Sequence, residues 1–352
     1  MDKISKECSM PESVTTDNAT HHDKTHTNKI LPFEFRGQGF EYFKLWVVNA
    51  LLTALTLGIY SAWATVRNNR YLHSNLYLNN THFRYLATPI QILKGRIIAV
   101  VALIIYMVTL QFKPTLGAIL GIALFIAIPY FVNQSLAFNR RMTSYNNIQF
   151  RFHATYWQAV MAVIIWPLLG VLSFGLLYPK AYKEMNKYIV NHSSYGTTQF
   201  HFSAKTWDYG KPALIAAAVM LVFGLVALGV ISSAPALVAL LPLIILPVYL
   251  VLIIFAIVTV NNIFYRNLHI EEHNFNANFT MPGLFKVMLI NVLLTILTLG
   301  LYLPAAKIRM IKYMAENIRL EANGSLENFY AASSQNVGAL GEEMGQAFDF
   351  GV

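Results

Sequence analysis

The segment His-Ile-Glu-Glu-His at residues 269–273 has the residue types and the spacing of the H-x-x-E-H zinc signature. In that signature a helix brings two histidines to one face, and the glutamate serves as general base for hydrolysis. The same segment falls in register with Tyr-Leu-Asn-Asn-Thr at residues 77–81, where two asparagines favour a tight β-turn. We therefore expect Glu271 and Glu272 to form a hairpin turn, and we predict no metal site and no cofactor.

Two apolar segments carry matching stripes of amide and hydroxyl side chains. The spacing i, i+4 and i+7 puts each stripe on one face of a helix. Two such faces could line a path for a small molecule or an ion between repeats. Alternatively, they hold a helix bundle together through hydrogen bonds worth about 0.6 kcal/mol each, up to 1–2 kcal/mol. The stripes consist of Asn49, Thr53 and Thr56, and of Asn291, Thr295 and Thr298.

Basic and aromatic residues follow three of the apolar segments and could bind lipid phosphate or another anion. The alternative is ordinary anchoring at the membrane interface, together with Tyr60 and Trp63. The candidates are Arg67, Arg70 and Tyr71, the weaker set Lys183, Lys187 and Tyr188, and finally Arg309, Lys312 and Tyr313.

Signatures of catalysis are missing from the sequence, which has no P-loop, no G-x-S-x-G and no dinucleotide fingerprint. No apolar run has Asp, Glu, Lys or Arg in its interior, whereas proton-coupled carriers and pumps normally need such a group. We therefore predict that the protein is not an enzyme, and we disfavour an ion-coupled transporter.

These residues must be held in a membrane, because 56% of the 352 residues are hydrophobic, only 12% are charged and the mean hydropathy is +0.47. The net charge of +9 then indicates contact with anionic headgroups rather than with nucleic acid. The single cysteine, Cys8, permits no internal disulfide, and the polar first 30 residues do not read as a signal peptide. Most of the apolar runs approach or exceed the roughly 20 residues that cross a hydrocarbon core. The runs are 45–64, 97–112, 116–138, 158–178, 213–231, 236–260 and 284–306.

The chain repeats itself, since NALLTALTLGIY at residues 49–60 returns as NVLLTILTLGLY at residues 291–302. A more divergent copy, GLLYPKAYKEMNKY, lies at residues 175–188. Each copy predicts an apolar helix, a break and a basic amphipathic continuation. The predicted breaks are Gly58, Gly175 and Gly300, joined by Pro179 and Pro304 in two copies.

The pattern aromatic-x-aromatic also recurs, shortly before membrane runs. Turn-like pairs ahead of four of its five copies predict small β-hairpins. The pattern starts at Phe33, Phe83, Phe150, Phe200 and, in decayed form, Phe275; the pairs are Asn79-Asn80, Asn146-Asn147, Tyr195-Gly196 and Glu271-Glu272.

The predicted fold class is an all-α polytopic membrane protein with small extramembrane β-hairpins and internal repeats of about 120 residues. We predict a disordered polar tail at 1–30, a first membrane repeat at 31–152 and a second at 153–279. A truncated third repeat at 280–322 and an acidic, disordered tail at 323–352 complete the division.

Two topologies fit the seven runs. If all runs cross, Lys and Arg divide almost evenly between the two faces, against the positive-inside rule, and the repeats are inverted as in transporters. If the runs broken at Gly58, Gly175 and Gly300 re-enter, nearly every basic residue and every hairpin lies on one face. Only the tips near Lys113 and residues 232–235 then lie opposite, and other helices must bury the bends.

Residues 35–96, with the core Gly-[Ile/Leu]-Tyr-x-x-[Trp/Ala]-Ala-x-x-Arg, closely resemble the YjgN-like bacterial inner-membrane proteins, a family of unknown function. The resemblance extends from Phe33 to about Leu320, with the third copy truncated, and the ending GEEMGQAFDFG is also similar. It implies a multi-pass protein of the bacterial cytoplasmic membrane and no particular activity.

We predict a non-catalytic role in which the Asn and Thr faces bind or pass a small molecule or lipid, in an inner-membrane protein with cytoplasmic hairpins and tails. The expected partner is a bilayer with anionic headgroups. The alternative is a scaffold that recruits a protein partner through its hairpin layer. The final residues EEMGQAFDF could dock on the basic face or only aid solubility.

Overall fold

The computed structural model describes residues 29–233 and 235–323. Cys8 and the two predicted tails lie outside this part of the chain, apart from residue 323 and residues 29 and 30, which belong to the first strand.

The described chain runs five times through the order strand, helix pair, strand. The first unit contains β1 (Lys29–Phe35), α1 (Gly39–Leu55), α2 (Ser61–Ser74) and β2 (Leu76–Leu78). The second contains β3 (Thr81–Tyr85), α3 (Pro89–Phe112), α4 (Pro114–Arg141) and β4 (Thr143–Tyr145). In the third, β5 (Ile148–Phe152) leads to α5 (Tyr156–Val160), a π-helical turn (Met161–Ile165), α6 (Trp166–Leu172), α7 (Tyr178–Asn191) and β6 (Ser193–Tyr195).

The fourth unit contains β7 (Thr198–Phe202), α8 (Thr206–Ser233), a 3-10 turn (Pro235–Leu240), α9 (Leu241–Arg266) and β8 (Leu268–Ile270). The fifth contains β9 (His273–Ala277), α10 (Met281–Leu297), α11 (Leu303–Glu316) and β10 (Ile318–Ala322). The predicted repeats of about 120 residues and their boundaries stay a prediction.

The ten strands close into one antiparallel barrel, in which β1 pairs with both β2 and β10. The prediction of an all-α protein with small separate hairpins was therefore wrong. An isolated two-stranded hairpin is only marginally stable and leaves unpaired edges, whereas closure pairs every strand on both sides. The pairs that close the barrel, such as Phe83 with Tyr145, join residues on either side of a helix pair. A local sequence pattern cannot show such pairing.

Five phenylalanines line the barrel interior in a closed ring. They are the first aromatic residues of the five aromatic-x-aromatic segments, and neighbouring ring centroids lie 6.2–6.4 Å apart. This spacing is typical of favourable aromatic contacts. Buried Leu31, Tyr145 and Tyr195 pack against the ring, and the Tyr145 hydroxyl donates to the Leu78 carbonyl at 2.7 Å. The ring consists of Phe33, Phe83, Phe150, Phe200 and Phe275.

The second aromatic of four segments joins the barrel to a helix pair. Phe35 packs with Tyr42 and Ile308, and Phe152 packs with Tyr188. Tyr85 and Phe202 form equivalent clusters with α2 and with α7 and α8, respectively. In the decayed fifth segment, Ala277 takes this buried place. One short motif thus supplies both the barrel core and the contacts between the barrel and the helices.

Two-residue turns connect the units at one end of the barrel. Asn79, Asn80 and Glu271 have positive φ, as tight hairpin turns require. The predicted Glu271-Glu272 turn is confirmed, because β8 ends at Ile270 and β9 begins at His273. The third turn lies one residue later than predicted, at Gly196 and Thr197, since Tyr195 pairs with Thr198.

All five helix pairs leave the opposite end of the barrel, because both ends of each pair continue into neighbouring strands. Successive helices pack side by side, and α11 packs against α1, so that the helices form a ring. A methyl group at Gly39 would lie 3.1 Å from the Cβ of Ala305, which shows how closely these two helices approach.

Two of the helix pairs are long enough to cross a membrane, and three are shorter. The spans are Pro89–Phe112, Pro114–Arg141, Thr206–Ser233 and Val238–Arg266. We call the other three pairs the short hairpins: α1–α2, α5–α7 and α10–α11. Each short hairpin returns to the barrel end from which it started, which favours the re-entrant topology over seven full spans.

Candidate functional site

Each short hairpin reverses at its predicted glycine, and φ is +93° at Gly58, +93° at Gly175 and +91° at Gly300. The Gly58 N–H donates to the Thr53 carbonyl at 2.8 Å, and the Leu57 N–H donates to the Ala54 carbonyl at 3.2 Å. These two bonds form the Schellman motif that ends many helices. In the other two turns, the glycine N–H makes the same bond to the carbonyl five residues earlier.

The residue before each of these glycines also has positive φ, although it is large and apolar: Leu57, Phe174 and Leu299. A left-handed conformation costs such a residue about 1–2 kcal/mol. These side chains are 96%, 100% and 95% exposed, respectively. Large apolar groups presented in this way at a turn indicate contact with lipid or protein rather than with water. The tips of the short hairpins therefore suit the hydrocarbon core.

The hydroxyls nearest the tips cap the backbone. The Thr56 hydroxyl donates to the Leu52 carbonyl at 2.8 Å and accepts the Tyr60 N–H at 2.9 Å. Thr298 makes the same pair of bonds, to Leu294 at 2.7 Å and from Tyr302 at 3.0 Å. Backbone groups at membrane depth need such partners because no water satisfies them. Ser173 accepts the Leu177 N–H in the third unit, and its place two residues before the glycine could have identified it.

The two asparagines of the predicted stripes close the arms of their own hairpins. Asn49, which is buried, donates to the Asn68 side chain at 3.1 Å and accepts from Arg67 at 3.4 Å. Asn291 donates to the Ala306 carbonyl at 3.2 Å and accepts from Arg309 at 3.5 Å.

The two stripes lie on separate hairpins, with α11 between α10 and α1. Thr53 and Thr295 contribute their carbonyls to the turns. A path between repeats therefore stays a prediction that these contacts do not support.

The predicted cations fall into two groups. Arg67, Arg309 and Lys183 are engaged within the protein: Arg67 donates to the Tyr60 hydroxyl at 2.9 Å, and the Lys183 ammonium lies 2.8 Å from a Glu184 oxygen. Arg309 lies over the Tyr302 ring, 5.4 Å from its centroid.

Arg70, Lys187 and Lys312 are exposed, and each lies twelve residues after its turn glycine. Arg70 also donates to the Ala87 carbonyl at 3.1 Å. Within the described residues, none of these three has a carboxylate within salt-bridge distance.

A tyrosine follows each exposed cation and fixes the arm that carries it. The Tyr71 hydroxyl donates to the Gln38 carbonyl at 3.0 Å, and the Tyr313 hydroxyl donates to the Thr280 carbonyl at 3.2 Å. Each bond ties the end of the second arm to the start of the first. Pro179 and Pro304 lie in the first turn of α7 and α11, where a missing N–H costs little.

The described residues contain no group of three or more His, Cys, Asp or Glu side chains that could hold a metal ion. His269 and His273 lie on adjacent strands, and the His269 Nδ1 atom is 2.7 Å from the Asn274 side-chain oxygen. The segment 269–273 thus lacks the helix that its zinc signature requires.

Known proteins resemble this chain in sequence. The family model described as "Bacterial protein of unknown function (DUF898)" matches residues 30–347. Inner membrane protein YjgN of Salmonella typhimurium is 25% identical over 82% of this chain and 88% of that protein. Two Escherichia coli proteins of the same name are each 24% identical, over 54% of this chain and 57% of their own length. No solved structure matches the chain.

Proposed function

Because this chain belongs to the DUF898 family of bacterial proteins of unknown function, and its curated relatives are named inner membrane proteins, we propose that it binds anionic phospholipid at its three short hairpins. In this proposal the role is non-catalytic. The barrel faces the cytoplasm, as the positive-inside rule favours for the side with most Lys and Arg.

Three equivalent cations carry this proposal. Arg70, Lys187 and Lys312 lie twelve residues beyond their tips, which corresponds to about 18 Å along a helix. Half of a hydrocarbon core is about 15 Å thick. A tip near the bilayer midplane therefore places each cation at the level of the lipid phosphates.

Lipid phosphate would supply the negatively charged partner that these cations lack among the described residues. A basic residue near an anionic leaflet contributes about 1 kcal/mol to binding. The polar stripes are engaged inside the hairpins, so we favour binding at the outer surface over passage between the repeats.

The test replaces Arg70 and Lys312 by Gln and measures the ratio of phosphatidylglycerol to phosphatidylethanolamine that co-purifies with the protein. The control variant carries Lys29→Gln and Arg319→Gln, which remove the same charge from exposed positions on barrel strands. We expect the ratio to fall for the hairpin variant and to stay at the parent value for the control. Equal ratios in all three proteins would overturn the proposal.

A scaffold role is a second candidate, because the two-residue turns gather at one barrel end and expose Asn79, Asn80, Glu271 and Glu272. The strands of the closed barrel offer no free edge, so a partner would bind this rim rather than add a strand. Photo-crosslinking from Asn80 and Thr197 tests this role. Reproducible capture of one protein supports it, and capture of lipid alone contradicts it.

A further inference from the structure

The short hairpin of the third unit, α5–α7, has a groove of about 320 Å³ between its arms. The groove runs from the barrel end of the hairpin toward its tip. Its lining combines aromatic, apolar and polar side chains, including Trp157, Met161, Ala162, Trp166, Lys187 and Asn191.

The residues that close the other hairpins are replaced here. In the first and fifth units, an Asn nine residues before the turn glycine contacts an Arg nine residues after it. The same two positions in the third unit hold Trp166 and Glu184, and both line the groove. Glu184 pairs with Lys183 on its own helix instead of reaching across. The Asn–Arg hydrogen bond is thus absent at this place, and the arms contact each other instead through the Lys180 ammonium, which lies 4.5 Å from the centroid of the Trp166 ring.

The hydrogen bond from the tyrosine to the first arm is also indirect in this hairpin. The Tyr188 hydroxyl donates to the Asn133 side chain of α4, and the Asn133 amide donates to the Thr155 carbonyl at 3.1 Å. Thr155 is the residue just before the first arm, the position that Gln38 and Thr280 hold in the other hairpins. An amide from the neighbouring unit therefore stands where the other hairpins have a direct bond.

A π-helical turn, Met161–Ile165, interrupts the first arm beside the groove. It precedes Pro167, which has no N–H for the helical hydrogen-bond pattern. The arms α1 and α10 have no such interruption. Met161 and Ala162 of this turn form part of the groove wall, and single π turns inside helices are frequent at functional sites.

We infer that this groove binds one phospholipid, with its phosphate near Lys187 and one acyl chain along Met161 and Trp166. Lys187 lies at the proposed headgroup level and has no carboxylate within salt-bridge distance among the described residues. Trp157, which is 71% exposed, suits the interface because its indole has an apolar body and a polar N–H. The inference rests on the proposed lipid binding and assigns it one saturable site.

The test reconstitutes the full chain with phosphatidylglycerol that carries a photoreactive group on its acyl chain, and maps the crosslinked peptides. We expect saturable labelling of residues 157–166. Lys187→Gln should weaken this labelling about fivefold, the factor that corresponds to one cation at an anionic surface. Arg319→Gln is the control, because it removes one positive charge from an exposed position on β10 that does not line the groove, and it should leave the labelling unchanged.

Labelling spread evenly over the three short hairpins, or equal labelling in the parent and the Lys187→Gln variant, would overturn the inference. Excess inorganic phosphate should not displace the lipid; if it does, the site is one for free phosphate. The outcome is separable from the co-purification test, because loss of the single site leaves the lipid preference at Arg70 and Lys312 measurable.

Discussion

Two consecutive residues at each short-hairpin tip have positive φ, yet only the second is glycine. The first is Leu57, Phe174 or Leu299, whose side chain projects fully from the turn. The strain of about 1–2 kcal/mol is offset by the gain from placing a large apolar group in hydrocarbon, which is about 1.5–3 kcal/mol for a Leu or Phe. A large apolar residue at this position therefore favours insertion of the tip into the membrane, although glycine would form the turn with less backbone strain.

Gly58→Ala should lower the free energy of unfolding by about 1–2 kcal/mol. A Cβ there meets no atom within 4 Å, so the penalty comes from the backbone alone. Gly224→Ala is the matched control: its site in α8 is equally open, and replacing a helical glycine stabilises by roughly 0.5–1 kcal/mol. Unfolding in mixed micelles measures both values. A shift in the same direction for both variants would refute the assigned turn geometry.

His273 predicts a pH dependence of barrel stability. Burial lowers its pKa below the usual value, against the opposing charges of Glu271 and Glu272. The His273 Nδ1 atom accepts the Asn323 N–H at 3.2 Å, and protonation would remove that acceptor. A depressed pKa in the folded state means that this stability is complete above the unfolded pKa of about 6.5 and is lost as the pH falls through the folded pKa.

The measurement is the free energy of unfolding across that pH range, for the parent, His273→Gln and His82→Gln. His82 is an exposed histidine on β3 and serves as the control. The dependence should flatten for His273→Gln and persist for His82→Gln. An unchanged slope in the His273 variant would show that another group titrates.

The turn glycines could be predicted from sequence because the repeated phrase aligned them and glycine tolerates positive φ. The conformation of Leu57 and its equivalents could not, because it runs against the intrinsic preference of leucine. Similarly, spacing put Asn49 on a polar face but could not identify Asn68 and Arg67 as its partners. Those contacts depend on how the chain reverses between the two helices.

At the scale of elements, the short hairpins α1–α2 and α10–α11 are held by hydrogen bonds between their arms. Asn49→Leu should lower the free energy of unfolding by about 1–2 kcal/mol, because Arg67 and Asn68 lose a partner. In a double-mutant cycle with Arg67→Met, the two effects should be less than additive. Thr53→Val on the same stripe is the control, with an expected change near zero.

Strict additivity of Asn49→Leu and Arg67→Met would contradict a contact between the arms. A loss of lipid passage in Thr53→Val with unchanged stability would instead revive the path between repeats.

The strands show why element prediction stopped short of the fold. Alternating aromatics and turn-like residue pairs predicted four hairpins, since those signals lie within a few residues of each other. Closure depends on pairs such as Phe152 with Ser193, which are separated by a whole helix pair. Because the signals for strand pairing are local, the sequence predicted the individual hairpins but not the closure of their strands into a barrel.

At the scale of the molecule, the barrel organises the membrane part. Five helix pairs extend from one end of the barrel. Two of them are long enough to span a membrane, and three are shorter. The exposed cations of the short hairpins then share one level. The inner-membrane family membership agrees with this layout, and the cytoplasmic placement of the barrel is our proposal.

The most direct test of a barrel on one side with hairpins entering from that side is cysteine accessibility in intact cells. Cys8 is replaced by serine, and single cysteines at Asn80, Thr197, Leu57 and Lys113 are treated with an impermeant maleimide. We expect protection at both barrel turns and at the Leu57 tip, and labelling at Lys113 between the spanning helices α3 and α4. Labelling at Thr197 with protection at Asn80 would place the barrel turns on opposite sides and contradict the fold and the function built on it.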